Sequence, residues 1–63
     1  MKLEQIKESI NNGITVYWGN DSYTVIKDNL RQYLIKHSNG YCIGLTWEDG
    51  KTMNGNEEDF YTK

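Results

Sequence analysis

The stretch from Asn39 to Gly55, NGYCIGLTWEDGKTMNG, limits the fold of this chain more than any other. It holds four glycines, three of them directly after Asn or Asp. Asn-Gly and Asp-Gly pairs favour chain reversal, because both members tolerate positive φ. Between the reversals Tyr41, Ile43, Leu45 and Trp47 alternate with Cys42, Gly44 and Thr46. A period of two is the signature of a strand, so the stretch predicts antiparallel strands joined by tight corners. It is not a phosphate-cradling loop. Gly50-Lys51-Thr52 carries the last letters of that motif, but Leu45 stands where its upstream glycine belongs, and no helical pattern follows Thr52.

Matching the apolar groups sets the expected register. A three-residue loop Ser38-Asn39-Gly40, with Gly40 left-handed as a bulge, brings Ile35 opposite Ile43 and Tyr33 opposite Leu45. Leu34 then lies over Gly44, where the missing side chain leaves room. A two-residue Asn39-Gly40 turn would set Lys36 against Ile43. The same device at Glu48-Asp49-Gly50 predicts Met53 opposite Leu45, whereas a two-residue turn there would put Thr46 opposite Met53.

The rest of the chain supplies partners for this meander. Leu3, Ile6 and Ile10 form one apolar stripe at helical spacing. A helix over residues 1–12 is expected, ended by Gly13 at its C′ position. Such a short helix is marginal alone and must lie on an apolar surface. Residues 14–18 and 22–27 read as strands around a Gly19-Asn20-Asp21 turn, and Asp28-Asn29 as a corner before a strand at 32–36. The expected sheet covers 14–53. Residues 56–61 are expected to form a short helical or 3₁₀ turn, with Asn56 as cap, Asp59 at N3 and Phe60 or Tyr61 as anchor.

Sixty-three residues make one domain at most, expected to span 1–63. One cysteine excludes an internal disulfide, and one histidine with it is too few for a structural zinc site, so no metal or other cofactor is expected. An efficient aromatic core or self-association remains as support. The net charge is −2, carried wholly by residues 32–63 with three basic and five acidic groups. No basic stripe exists, which argues against nonspecific duplex binding. There is no apolar run long enough to span a membrane. An unpaired cysteine and the absence of a secretory h-region make the cytoplasm the expected location.

Catalytic pairings are weak. In the expected register His37 opposes Tyr41 and alternates in face with Cys42, and nothing marks an orienting group or oxyanion hole. The carboxylates Glu48, Asp49, Glu57, Glu58 and Asp59 fall at a turn and near the end of the chain, without a cleft between them. No enzyme is expected. The aromatic surplus points elsewhere: eight large rings are many for so small a core. Rings left near the surface anchor protein partners or stack on bases. The expected protein-binding surface is Tyr17, Tyr23 and Trp47, with Glu48 and Asp49 at its rim. Its alternative is a nucleic-acid surface built from the same rings with Lys27, Arg31 and Lys36.

The expected fold class is α+β, a short amphipathic N-terminal helix on a strongly bent antiparallel sheet of four to five strands. In outline this resembles small SH3-like half-open barrels. The compactness and the Gly-Asn-Asp corners resemble small accessory proteins of phages or plasmids. A protein partner or homo-oligomer is expected on these grounds, ahead of nucleic acid and without a membrane.

Overall fold

A computed structural model describes residues 1–63. One helix packs on a five-stranded antiparallel sheet. The elements are α1 (Leu3–Asn11), β1 (Tyr17–Trp18), β2 (Asn20–Lys27), β3 (Tyr33–His37), β4 (Cys42–Gly44) and β5 (Phe60–Tyr61), with a 3₁₀ turn at Glu57–Asp59 before β5. The strand order is β4-β3-β2-β1-β5. The first four strands form a meander. The chain then crosses the full width of the sheet, about 19 Å at the usual strand spacing, to add β5 at the far edge.

The core holds one fully buried residue from each part of the chain: Ile6, Val16, Val25, Ile35, Leu45 and Phe60. Val25 and Ile35 stand directly opposite each other, and Ile35 stands opposite Ile43. This single row explains the expected stripe on α1, since only Ile6 reaches the centre while Leu3 and Ile10 flank it. The helix starts where the Gln5 side-chain oxygen accepts from the Lys2 N–H at 2.8 Å. It ends in a Schellman turn, with Gly13 N–H on Ile10 O at 3.0 Å and Ile14 N–H on Ser9 O at 2.9 Å. Gly13 has φ +78°, the left-handed value that motif requires. Asn11 Oδ1 accepts from Lys27 Nζ at 3.2 Å and Tyr33 hydroxyl at 3.3 Å, which pins the helix end to the sheet.

The β3–β4 hairpin has the register that apolar matching predicts: Ile35 faces Ile43, Leu34 faces Gly44, and Gly40 has φ +98°. Elsewhere the strands differ from expectation. The first is only Tyr17–Trp18, because the Schellman turn carries Ile14 outward and leaves it 48% exposed. The second begins at Asn20. Tyr17 pairs with Thr24 but Trp18 pairs with Asn20, so residues 21–23 bulge and place Tyr23 against the Trp18 ring.

The expected strand from Tyr41 to Trp47 is cut to Cys42–Gly44. The chain bends at Leu45, and a Cβ on Gly44 would lie 3.0 Å from Thr46 O. Beyond the bend only a bridge remains, and it joins Thr46, not Leu45, to Met53. This corrects the predicted pairing. The Asp49 carboxylate is the reason: it accepts from the N–H groups of Lys51 and Thr52, both at 2.9 Å, and from the Thr52 hydroxyl at 2.6 Å. Those bonds fix a loop from Glu48 to Lys51, closed by Trp47 N–H on Thr52 O at 2.8 Å. Local polar satisfaction here outweighs a half-exposed apolar match. The C-terminal 3₁₀ turn forms with Asn56 as cap, but Phe60 and Tyr61 pass beyond it into a strand paired with β1.

Candidate protein-binding surface

Four large apolar residues are exposed: Leu30 at 77%, Tyr41 at 64%, Trp47 at 63% and Ile14 at 48%. Tyr41 and Trp47 are both held at the backbone, Tyr41 by its N–H on Asn39 Oδ1 at 2.9 Å and by His37 N–H on its C=O at 2.7 Å. The Trp47 C=O accepts from Gly50 N–H at 2.9 Å, and its N–H bonds Thr52 O at 2.8 Å. The indole therefore projects from a fixed point. Glu48 and Asp49 line a hollow on one side of it, with Asn54. A second groove is lined by Lys7, Arg31, Gln32 and Tyr33 together with Trp47 and Glu48. Trp47 thus borders both, and Glu48 is common to the two. Thr52 holds the Asp49 carboxyl below its ordinary range, first through its hydroxyl and then its N–H, with Lys51 N–H adding to this. Asp49 therefore stays ionised further into acid than an ordinary aspartate.

The expected surface is only partly brought together. Trp47, Glu48 and Asp49 are neighbours. Tyr17 and Tyr23 are not part of this group, nor of each other's face. Tyr17 pairs with Thr24, while Tyr23 alternates with Thr24 along β2 and points to the helix side. Tyr23 is half-buried between the Trp18 ring, 5.1 Å away and edge-on, and the His37 ring at 4.6 Å. Tyr17 stacks on Tyr61 at 5.5 Å under Lys63 Nζ, 4.9 Å from its ring. Both rings hold the fold together.

The basic residues are divided as well. Lys27 is bonded to Asn11 and lies 5.6 Å from the Tyr33 ring. Lys36 pairs with Thr24 and Cys42 on the sheet face away from the helix. Only Arg31 reaches the groove. It has φ +62°, unusual for a side chain with a Cβ. The Asp28 carboxylate stabilises that corner by accepting from Leu30 and Gln32 N–H at 2.9 and 2.8 Å. Lys7, 5.4 Å from the Tyr33 ring, joins Arg31 there. Sequence reasoning missed it, because helix position alone does not say which exposed lysine meets the end of a sheet. Tyr41 was legible only as one of several rings too many for the core.

His37 and Cys42 are not a catalytic pair. His37 Nδ1 accepts from Asn39 N–H at 3.2 Å, and Cys42 is set on the opposite face, beside Lys36. No helix is long and apolar enough to cross a membrane. No family model, curated protein or solved structure matches this chain.

Proposed function

We propose that this chain is a non-enzymatic protein-binding module whose anchor is Trp47. The supporting observation is that Trp47 is 63% exposed on a backbone held by the Asp49 loop, with Glu48 and Asp49 beside it and Lys7 and Arg31 lining the groove it borders. A fixed aromatic ring loses little entropy on burial, and flanking charges set orientation and partner choice. The fitting role is a small accessory inhibitor or modulator of a larger host protein, of phage or plasmid type, acting in the cytoplasm. The half-open, SH3-like curvature expected of the sheet belongs to the same reading, since curvature would present the 46–50 hairpin as a prominent ridge. Pull-downs from the natural host with wild type, Trp47→Ala and Tyr17→Ala test it. Loss of a specific partner is expected for Trp47→Ala alone. Equal recovery by all three would remove Trp47 as the anchor.

A second reading is favoured by one observation. Arg31 and Lys7 share a groove with Tyr33 and Trp47, the combination that stacks a base and contacts its phosphate. Lys27 reaches the Tyr33 ring at 5.6 Å but does not line the groove, and Lys36 lies on the sheet face away from the helix, so the basic groups form no continuous track. A fluorescence titration with labelled single-stranded oligonucleotides at low salt decides this reading; no binding ends it.

A further inference from the structure

We propose that the β4 edge pairs with the β4 edge of a second copy of this chain, antiparallel about a two-fold axis at Cys42. This seam does not use Trp47, so it stands separately from the function proposed above.

Hydrogen-bond geometry comes first. His37 N–H bonds Tyr41 O at 2.7 Å, and Leu45 N–H bonds Tyr33 O at 3.0 Å. In an antiparallel ladder bonded and non-bonded pairs alternate. The backbone groups of Cys42 and Gly44 therefore point away from β3. Asn54 Nδ2 occupies the Gly44 carbonyl at 2.9 Å. The N–H and C=O of Cys42 and the N–H of Gly44 are left facing off the sheet.

The side chains are self-complementary. With Cys42 opposite its own copy, its N–H and C=O bond reciprocally, and Gly44 N–H faces the second copy's Gly40. Tyr41, 64% exposed, then lies across from the second copy's half-buried Ile43, and this contact occurs twice. Gly40 to Gly44 contains no charge and no proline, the usual guards of an edge strand. The two Lys36 side chains would stand three strand spacings apart, about 14 Å, which is beyond the screening length in physiological salt. An unrelated extended peptide could use the same hydrogen bonds, but it would not by itself supply the Tyr41–Ile43 match in both directions.

Light scattering over a wide concentration range tests the proposal. The mass is expected to rise from 7.4 kDa toward twice that value, with the Cys42 and Gly44 amides becoming protected from exchange as concentration increases. Cys42→Pro removes the outward N–H, which an edge strand tolerates. Tyr41→Ser removes a ring that is 64% exposed in the single chain. Each is expected to weaken the dimer at least about tenfold, and Tyr41→Ser remains informative if Cys42→Pro fails to fold. Opposed cysteines fall within the Cα separation of a disulfide. Diamide, which takes up the two hydrogens the thiols lose, is expected to trap the wild-type dimer faster than a Cys42→Ser, Ser22→Cys control. A mass of 7.4 kDa at every concentration overturns the proposal. So does a dimer that survives Tyr41→Ser unchanged, or trapping no faster than the control.

Discussion

The two edges of this sheet are both short, and they are guarded very differently. At the β5 edge every outward feature has a partner. The alternation set by Gly19 N–H on Asp59 O turns the Phe60 carbonyl outward, and the Met1 ammonium donates to it at 3.5 Å while also bonding Glu57 O. Asp21 accepts from the Tyr61 hydroxyl and from Lys63 Nζ, both at 2.6 Å, and Tyr17 stacks alongside. At the β4 edge, Asn54 covers one carbonyl and nothing covers Cys42. A strand's length does not decide whether an edge is closed. The side chains arriving from distant parts of the sequence do.

The largest expected effect separates what closes the β5 edge from what merely decorates it. The Asp21–Lys63 pair is more than half exposed on both sides, and such pairs contribute little. Phe60 is 2% exposed and belongs to the central row. Phe60→Ala is therefore expected to cost about 3–5 kcal/mol, enough to threaten a domain with only six buried residues. Urea unfolding followed by tryptophan fluorescence checks this. A loss under about 1 kcal/mol would mean that the polar contacts hold β5 after all.

Gly55→Ala acts on the same side of the molecule through the crossing segment. A Cβ there would lie 2.5 Å from Trp18 Nε1 and 2.9 Å from Cε2. The indole cannot swing aside easily, since Tyr23 meets it at 5.1 Å and Phe60 at 6.1 Å. Its N–H is already buried without a partner, so the site has no slack. Overpacking of this kind costs about 1–3 kcal/mol, read as a lower urea midpoint with a shifted Trp18 emission. An unchanged midpoint would show that the crossing segment can lift off the sheet freely.

The pH response should distinguish the edges by sign. Lys63 and then Tyr61 hold the Asp21 carboxyl below its ordinary value of 3.8. Its contribution is complete above that value and is lost as pH falls through the lower folded one. The Asp21 hydrogen bond raises Tyr61 above 10.0, and the same carboxylate raises Lys63 above 10.5. Those contributions are complete below the ordinary values and are lost as pH rises through the folded ones. The β5 edge thus loosens at both extremes. The hairpin beyond β4 has only the lowered Asp49 and should respond in acid alone. Tyr61 and Thr52 resonances followed by NMR check this, and Asp21→Asn is expected to remove the acid limb at Tyr61 and to bring its alkaline midpoint down toward 10.0, while leaving Thr52 unchanged. An alkaline midpoint unchanged in that variant would assign the upward shift of Tyr61 elsewhere.

How much of this was readable in the sequence follows the same division. The β3–β4 hairpin was legible because its register depends on neighbours in the chain, with Gly40 as the bulge and large groups facing each other on either side. The α1 stripe was legible for the same reason. The β5 strand was not, because a two-residue pairing with β1 leaves no periodicity and depends on Phe60 meeting a partner more than 40 positions away. The 46–53 pairing failed where one carboxylate outweighed the apolar pattern. At the candidate site, Trp47, Glu48 and Asp49 were found together because they are consecutive. Tyr17 and Tyr23 were misgrouped because the bulge at residues 21–23 cannot be seen before the strands are paired.

The smallest expected effect defines the open edge most sharply. Tyr41 is 64% exposed in the single chain, so Tyr41→Ser should change monomer stability by no more than about 0.5 kcal/mol, measured by urea unfolding in dilute solution. Mass action then makes concentration the informative variable. If the β4 edge pairs only between molecules, the melting temperature of wild type rises with protein concentration and that of the variant does not. A large loss in dilute solution would instead place Tyr41 within the fold of one chain. The two edges would then differ only in which side chains close them, and not in whether they are closed.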